Sequence, residues 1–192
     1  MSLVEIENLT ISFGGRPALS GLSLAIARGE RFGIVGESGS GKSLTALAIT
    51  GLLPDAAEAT GAIRFDGKPL PTDEKSMAAL RGHHIGMVFQ EPMTALNPLM
   101  RVGAQIEEAL DLADSDKRDV GALLQEVGLE PSHTNRLPHQ LSGGQRQRVM
   151  IAMALASDPD LMIADEPTSA LDVVTQRRVL DLIAEICDRR QM

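Results

Sequence analysis

Between an apolar run, Phe32 to Val35, and a helical pattern from Lys42 to Leu53, the chain reads Gly36-Glu37-Ser38-Gly39-Ser40-Gly41-Lys42-Ser43. This is the phosphate-binding loop pattern G-x-x-x-x-G-K-S, and it works only where a strand delivers a turn into a helix. Few features restrict a fold more. Glycines let the backbone wrap so that its N–H groups point into one concavity, and the helix beginning near Lys42 adds its positive end. The Lys42 ammonium then meets the β and γ phosphates of a nucleotide, and the Ser43 hydroxyl is placed to ligate Mg²⁺. The competing reading is a plain glycine-rich turn, but the flanking elements are those the motif needs.

The remaining pattern supplies the frame. Val4, Ile6, Leu9, Ile11 and Phe13 keep the spacing of half-buried strands, broken by Gly14-Gly15-Arg16-Pro17, and predict an antiparallel start. Leu22 to Ile26, Phe32 to Val35, Ile63 to Phe65, Ile85 to Phe89 and Leu161 to Ala164 read as further strands. Helical spacing predicts helices from Lys42, stopped by Pro54, between the turn Asp66-Gly67 and Ile85, from Val102 to about Gly128 with a break at Ser115-Asp116-Lys117, from Gln145 to Ala156, and from Val173 to Arg190. Strands separated by helices argue an α/β domain with a mainly parallel sheet.

Composition narrows the partners. With 18 Lys and Arg against 26 Asp and Glu, the net charge of −8 argues against a long-range hold on nucleic acid. Four Phe without Trp or Tyr leave few stacking platforms. A single cysteine, Cys187, excludes an internal disulfide and a thiolate cage and fits a reducing compartment. No apolar run approaches the ~20 residues of a membrane span, and the N-terminus, with Glu5 and Glu7, does not read as a signal peptide.

Two further motifs carry chemistry. The strand Leu161 to Ala164 delivers Asp165 and Glu166 at its C-terminal edge, where open α/β sheets place ligands. Asp165 suits Mg²⁺, and Glu166 suits a base for an attacking water; without a phosphate loop, two acids capping the next helix would be the simpler reading. Leu141-Ser142-Gly143-Gly144-Gln145 is a second place where Ser and Gly open a helix and leave amides unpaired, either as an anion site or as an ordinary Ser cap.

The pentapeptide LSGGQ at 141–145, with the phosphate loop before it and the acid pair after it, resembles the signature of ATP-binding-cassette (ABC) ATPases over nearly the whole chain. The resemblance implies a P-loop NTPase core with a mainly parallel sheet, an N-terminal antiparallel β subdomain and a helical insertion. Residues 1–90 and 157–192 would form the core with its β subdomain, and 91–156 the helical part. It further implies ATP and Mg²⁺ bound by Gly36, Ser38, Gly39, Ser40, Gly41, Lys42 and Ser43, with Asp165 and Gln90 at the metal, and Glu166 and Gln90 at the attacking water. Ser142, Gly143, Gly144 and Gln145 would act in trans on the ATP of a second subunit, and Ser169-Ala170-Leu171-Asp172 looks like the loop crossing between the sites. Phe13 stands where the family often stacks an aromatic on adenine; a core Phe on a strand fits it equally.

Glu91 to Pro98 and Pro138-His139-Gln140 resemble the peptide and nickel importer branch. That implies docking on membrane permease subunits at the inner face of the cell membrane, with an extracytoplasmic binding protein supplying solute and no nucleic-acid partner. The family also uses a histidine on a further strand after the catalytic glutamate, a strand lying between those of the phosphate loop and the acid pair. No histidine follows His139; His83, His84, His133 and His139 read as surface or loop residues. The expectation is a fragment of a longer cassette, with ladder groups beside the missing strand left unpartnered at about 1–3 kcal/mol each. Two alternatives stay open: an ATP-binding module with little hydrolysis, and a soluble ABC ATPase not linked to transport.

Overall fold

The computed structural model describes residues 2–89, 95–113, 118–169 and 171–192. It divides into two compact units, Met1–Leu80 and Arg81–Met192.

The first unit is built on a four-stranded antiparallel sheet in the order β2-β1-β3-β4. Its strands are β1 (Ser2–Phe13), β2 (Arg16–Ala27), β3 (Ala57–Phe65) and β4 (Lys68–Pro69). β1 lies in the middle because its alternating apolar residues Val4, Ile6, Leu9 and Ile11 are all buried. Both of its edges are occupied, with Ile6 opposite Leu24 on β2 and Ile63 on β3. α1 (Lys42–Thr50) follows the phosphate loop, and α2 (Glu74–His83) begins after β4. The antiparallel start and the turn at Asp66-Gly67 match the alternation of the sequence. α1 ends earlier than Pro54 suggested: Gly51, at φ +64°, caps it, and its N–H bonds back to Ala48 O.

One expected strand is absent. Phe32 to Val35 joins no ladder among the described residues, and its apolar side chains stand open, Phe32 by 45%, Ile34 by 44% and Val35 by 97%. The apolar run is genuine, but a parallel strand exists only beside a partner, and the four strands of this unit pair only with one another.

The second unit has a two-stranded parallel sheet, β5 (Ile85–Val88) beside β6 (Leu161–Ala164), in the register Ile85 to Leu161 and Val88 to Ala164. Around it are α3 (Val102–Leu112), α4 (Val120–Glu126), 3-10 turns at Pro131–Asn135 and Pro138–Gln140, α5 (Gly143–Ala154) and α6 (Val173–Arg190). Their apolar stripes meet in one core containing Val88, Val102, Ile106, Leu124, Val149, Ile151, Val179 and Ile186. The break proposed at 115–117 and the residue Gln90 lie outside the described residues. Ion pairs fasten the end of α6: Arg190 bonds Glu126 and Asp158, Arg189 bonds Glu126, and Arg118 reaches Asp158 and the Leu155 carbonyl.

Candidate functional site

In the first unit the phosphate loop, 36–41, is exposed up to Ser40 and closes into α1 through Gly41, at φ +92°. Gly39 also takes a left-handed conformation, φ +80°, which an L side chain adopts only with strain. At Gly41 a second demand is added, since a Cβ there would lie 2.9 Å from Leu19 Cδ1. Having no side chain, Gly41 offers α1 no cap, and the first helical bond runs from Thr45 N to Gly41 O at 2.9 Å. The amides before Thr45 therefore begin the helix without a side-chain acceptor and form an electropositive end. The Lys42 side chain turns back over the loop, its Nζ donating to the carbonyls of Gly36 and Glu37, each at 3.0 Å. Ser40 N reaches Glu37 O at 3.2 Å, which tightens the same turn. Ser43 is exposed on the first turn of α1. Phe13 ends β1, half-buried, opposite Arg16 and Ala57.

The second unit holds the acid pair and LSGGQ. Asp165 extends the β5–β6 ladder by one bond, its N–H donating to Val88 O at 3.0 Å, and this fixes where its carboxylate leaves the sheet. Glu166 follows in a left-handed conformation, φ +45°, which costs a non-glycine residue about 1–2 kcal/mol. Its carbonyl accepts from both the N–H and the hydroxyl of Ser169, each at 3.2 Å. The strained residue is thereby tied to the segment that leads into α6.

Ser142 caps α5, which begins at Gly143, two residues before the expected start at Gln145. The Ser142 hydroxyl accepts from Gln145 N at 3.3 Å, and Gln145 Oε1 accepts from Ser142 N at 2.9 Å, a reciprocal capping box. Gly143 and Gly144 have a packing role as well: Cβ atoms there would lie 3.2 Å from Leu171 Cδ2 and 2.6 Å from Thr175 Cγ2. LSGGQ and the loop leading into α6 are thus packed together. That loop is held from α6 by Gln176, whose amide donates to Thr168 O and Leu171 O, and by Asp172, which caps the helix through Val174 N and Thr175 N. The Thr175 hydroxyl and amide, together with Val174 N, hold the Asp172 carboxyl below its ordinary value. Ala170 lies outside the described residues.

One histidine corrects the sequence reading. His83, His84 and His139 are exposed, but His133 is 7% exposed in the 3-10 turn Pro131–Asn135. Burial costs it little because both ring nitrogens are bonded, Nδ1 to Glu130 O at 3.0 Å and Nε2 to the Gln145 amide at 3.2 Å. Nothing in the spacing of His133 from Gln145 signals that contact.

Comparison with known proteins follows the same outline. The chain is 47% identical to the oligopeptide transport ATP-binding protein OppD of Lactococcus lactis subsp. cremoris, over 96% of this chain and 59% of that protein. It is 46% identical to the dipeptide transport ATP-binding protein DppD of Bacillus subtilis, again over 96% of this chain and 59% of that one. The chain therefore spans little more than half the length of these relatives. Among solved structures, cbiO1 of Clostridium perfringens, part of the ABC transporter complex cbiONQ, superposes with a TM-score of 0.83 at 30% identity, covering 99% of this chain and 75% of that one. The ATP-binding cassette MJ0796, solved as a dimer in a post-hydrolysis state with ADP and Pi, gives 0.79 at 31% identity, covering 97% of this chain and 83% of that one. A family model described as ABC transporter matches residues 19–169, a span that contains the phosphate loop, LSGGQ and the acid pair in that order, and the chain belongs to this family.

Proposed function

We propose that the chain is the ATP-binding and ATP-hydrolysing part of an importer for peptides or a related small solute, working as a pair of cassettes against membrane permease subunits. The observation that carries this reading is the phosphate loop: an uncapped helix start, two left-handed glycines and a lysine folded back onto the carbonyls of Gly36 and Glu37. The peptide branch is supported by the oligopeptide and dipeptide transport relatives and by Pro138-His139-Gln140 before the signature. No helix among the described residues is long and apolar enough to cross a membrane, which fits attachment through permeases at the inner face.

In this reading Lys42 leaves the Gly36 and Glu37 carbonyls for the β and γ phosphates, and the backbone of 36–41 donates to the remaining oxygens. Ser142, Gly143 and Gly144 present amides to the ATP of the partner subunit, with Gln145 holding Ser142 in its turn. Glu166 accepts the proton of the attacking water as the water oxygen bonds to the γ phosphorus and the bond from that phosphorus to the β–γ bridging oxygen breaks, releasing ADP and phosphate. The hydroxyl of Ser43 and the carboxylate of Asp165 are hard oxygen donors of the kind Mg²⁺ takes, with Gln90 as a third. Mg²⁺ there would neutralise charge on the phosphates. The division into a core, 1–90 with 157–192, and a helical part, 91–156, belongs to the same proposal.

The run Phe32 to Val35 favours a second reading, ATP binding with little turnover, because the segment that leads into the phosphate loop joins no ladder among the described residues. Glu166→Gln separates the two. An importer ATPase loses roughly two to four decades of turnover while still binding ATP, the usual worth of a positioned base. Phosphate release equally slow in both proteins would leave only the binding module.

A further inference from the structure

The capping box of the signature does not end at Gln145. Glu130 O is a backbone carbonyl and can only accept, so His133 Nδ1, 3.0 Å from it, carries the ring proton. At the other end Ser142 N is a backbone amide and can only donate, so the Gln145 side-chain oxygen faces it, at 2.9 Å, and the Gln145 NH₂ faces His133. Between these fixed ends, His133 Nε2 lies 3.2 Å from Gln145 Nε2 and must be the acceptor. All the polarities agree for one species only, a neutral imidazole with its proton on Nδ1. A ring protonated on Nε2 would set two donors face to face, and turning the Gln145 amide to relieve that would point its NH₂ at the Ser142 N–H. The ring is buried, so water does not readily replace a lost partner.

From this relay we propose that His133 is a positioning residue for the signature: through Gln145 it fixes the turn at Ser142 whose hydroxyl and amides face the partner's nucleotide. His133 touches no substrate in this scheme. The inference rests on the trans role proposed for Ser142 and Gly143, and the experiment separates the two. Two readouts address the relay alone. Nitrogen chemical shifts of the His133 ring should show a protonated Nδ1 and an unprotonated Nε2. Amide exchange at Ser142 should quicken about five- to tenfold in His133→Leu, the worth of about one hydrogen bond, and return to within about twofold in His133→Gln, whose side-chain oxygen can accept where Nε2 does.

The third readout addresses function: ATP-dependent dimerisation by sedimentation, in a Glu166→Gln background so that ATP persists. His133→Leu should weaken the dimer about tenfold with ATP binding by the monomer unchanged, His133→Gln should restore it, and Ser142→Arg should abolish it. A ring protonated on Nε2 overturns the relay. An intact dimer in His133→Leu, with Ser142→Arg monomeric, overturns the positioning role while the trans reading survives. Dimers unaffected by both substitutions, with the exchange effect present, leave the relay standing and remove the trans reading together with the role built on it.

Discussion

Replacing Lys42 by alanine removes an ammonium that donates to Gly36 O and Glu37 O at 3.0 Å each when no nucleotide is bound. On binding, those two neutral acceptors are exchanged for anionic phosphate oxygens. All four are bonds of an ionised group, each contributing about 1.5–3 kcal/mol; with the carbonyl bonds at the lower end and the phosphate bonds, ionised on both sides, at the upper, two of each leave a net loss of about 2–3 kcal/mol. At 1.4 kcal/mol per decade, the Kd for ATP should rise about 30- to 150-fold. The same substitution unties the loop from itself, so a urea melt should accompany calorimetry to confirm that the protein titrated is folded. Lys42→Met keeps the length of the side chain and discards its charge; an equal loss there assigns the effect to charge. A Kd within about twofold of the parent would refute the reasoning, because no arrangement of the loop that uses Lys42 for phosphate predicts it.

Two stability predictions follow from the second unit. Gly128 sits at φ +70° with the Arg148 Nη1 2.5 Å from where a Cβ would be, and that nitrogen donates to Val127 O at 2.8 Å. Gly128→Ala should therefore cost about 1–2 kcal/mol in backbone strain, the Arg148 guanidinium shifting at the end of its flexible side chain, read as a lower urea midpoint; a cost below about 0.5 kcal/mol would contradict the geometry. Burial acts to raise the Glu126 carboxyl, but the hydrogen bonds and charges of Arg190 and Arg189 outweigh it and hold the group below its ordinary value of 4.5. Its contribution is thus complete above that value and disappears as pH falls through the lower folded-state value. Glu126→Gln should destabilise the chain by about 1.5–3 kcal/mol at neutral pH and hardly at all in acid, and a loss independent of pH would exclude the ion pair as its cause.

The fold was legible where local pattern and tertiary environment agree. Val4, Ile6, Leu9 and Ile11 alternate because β1 is covered on one face and flanked at both edges, and the helical stripes of α3 to α6 converge on one core. Phe32 to Val35 shows the limit. It is a short apolar run, and such a run reports suitability for a ladder, while the ladder itself needs a neighbouring strand, which this run does not have among the described residues. Gly51 shows a smaller one: Pro54 forbids further helix, but the left-handed cap closes α1 first.

The site divides along the same line. Lys42, Asp165 and Glu166 could be singled out as candidates because the motifs that propose them lie within a few residues of each. His133 could not, because its meaning comes from a partner twelve positions away, across a turn that contains Pro138. The glycines of the signature carry a further ambiguity that no motif resolves. A Cβ at Gly144 would lie 2.6 Å from Thr175 Cγ2, so glycine is required there by the packing of α5 against α6 whether or not an amide meets a phosphate. Gly39 differs, with open space where its Cβ would be, and only its left-handed backbone demands glycine. Loss of ATP binding in a Gly39 variant would therefore speak to the shape of the phosphate cradle. Loss of the dimer in a Gly144 variant would speak first to α6, which is why the trans reading is better tested at Ser142, an exposed cap whose substitution leaves that packing in place.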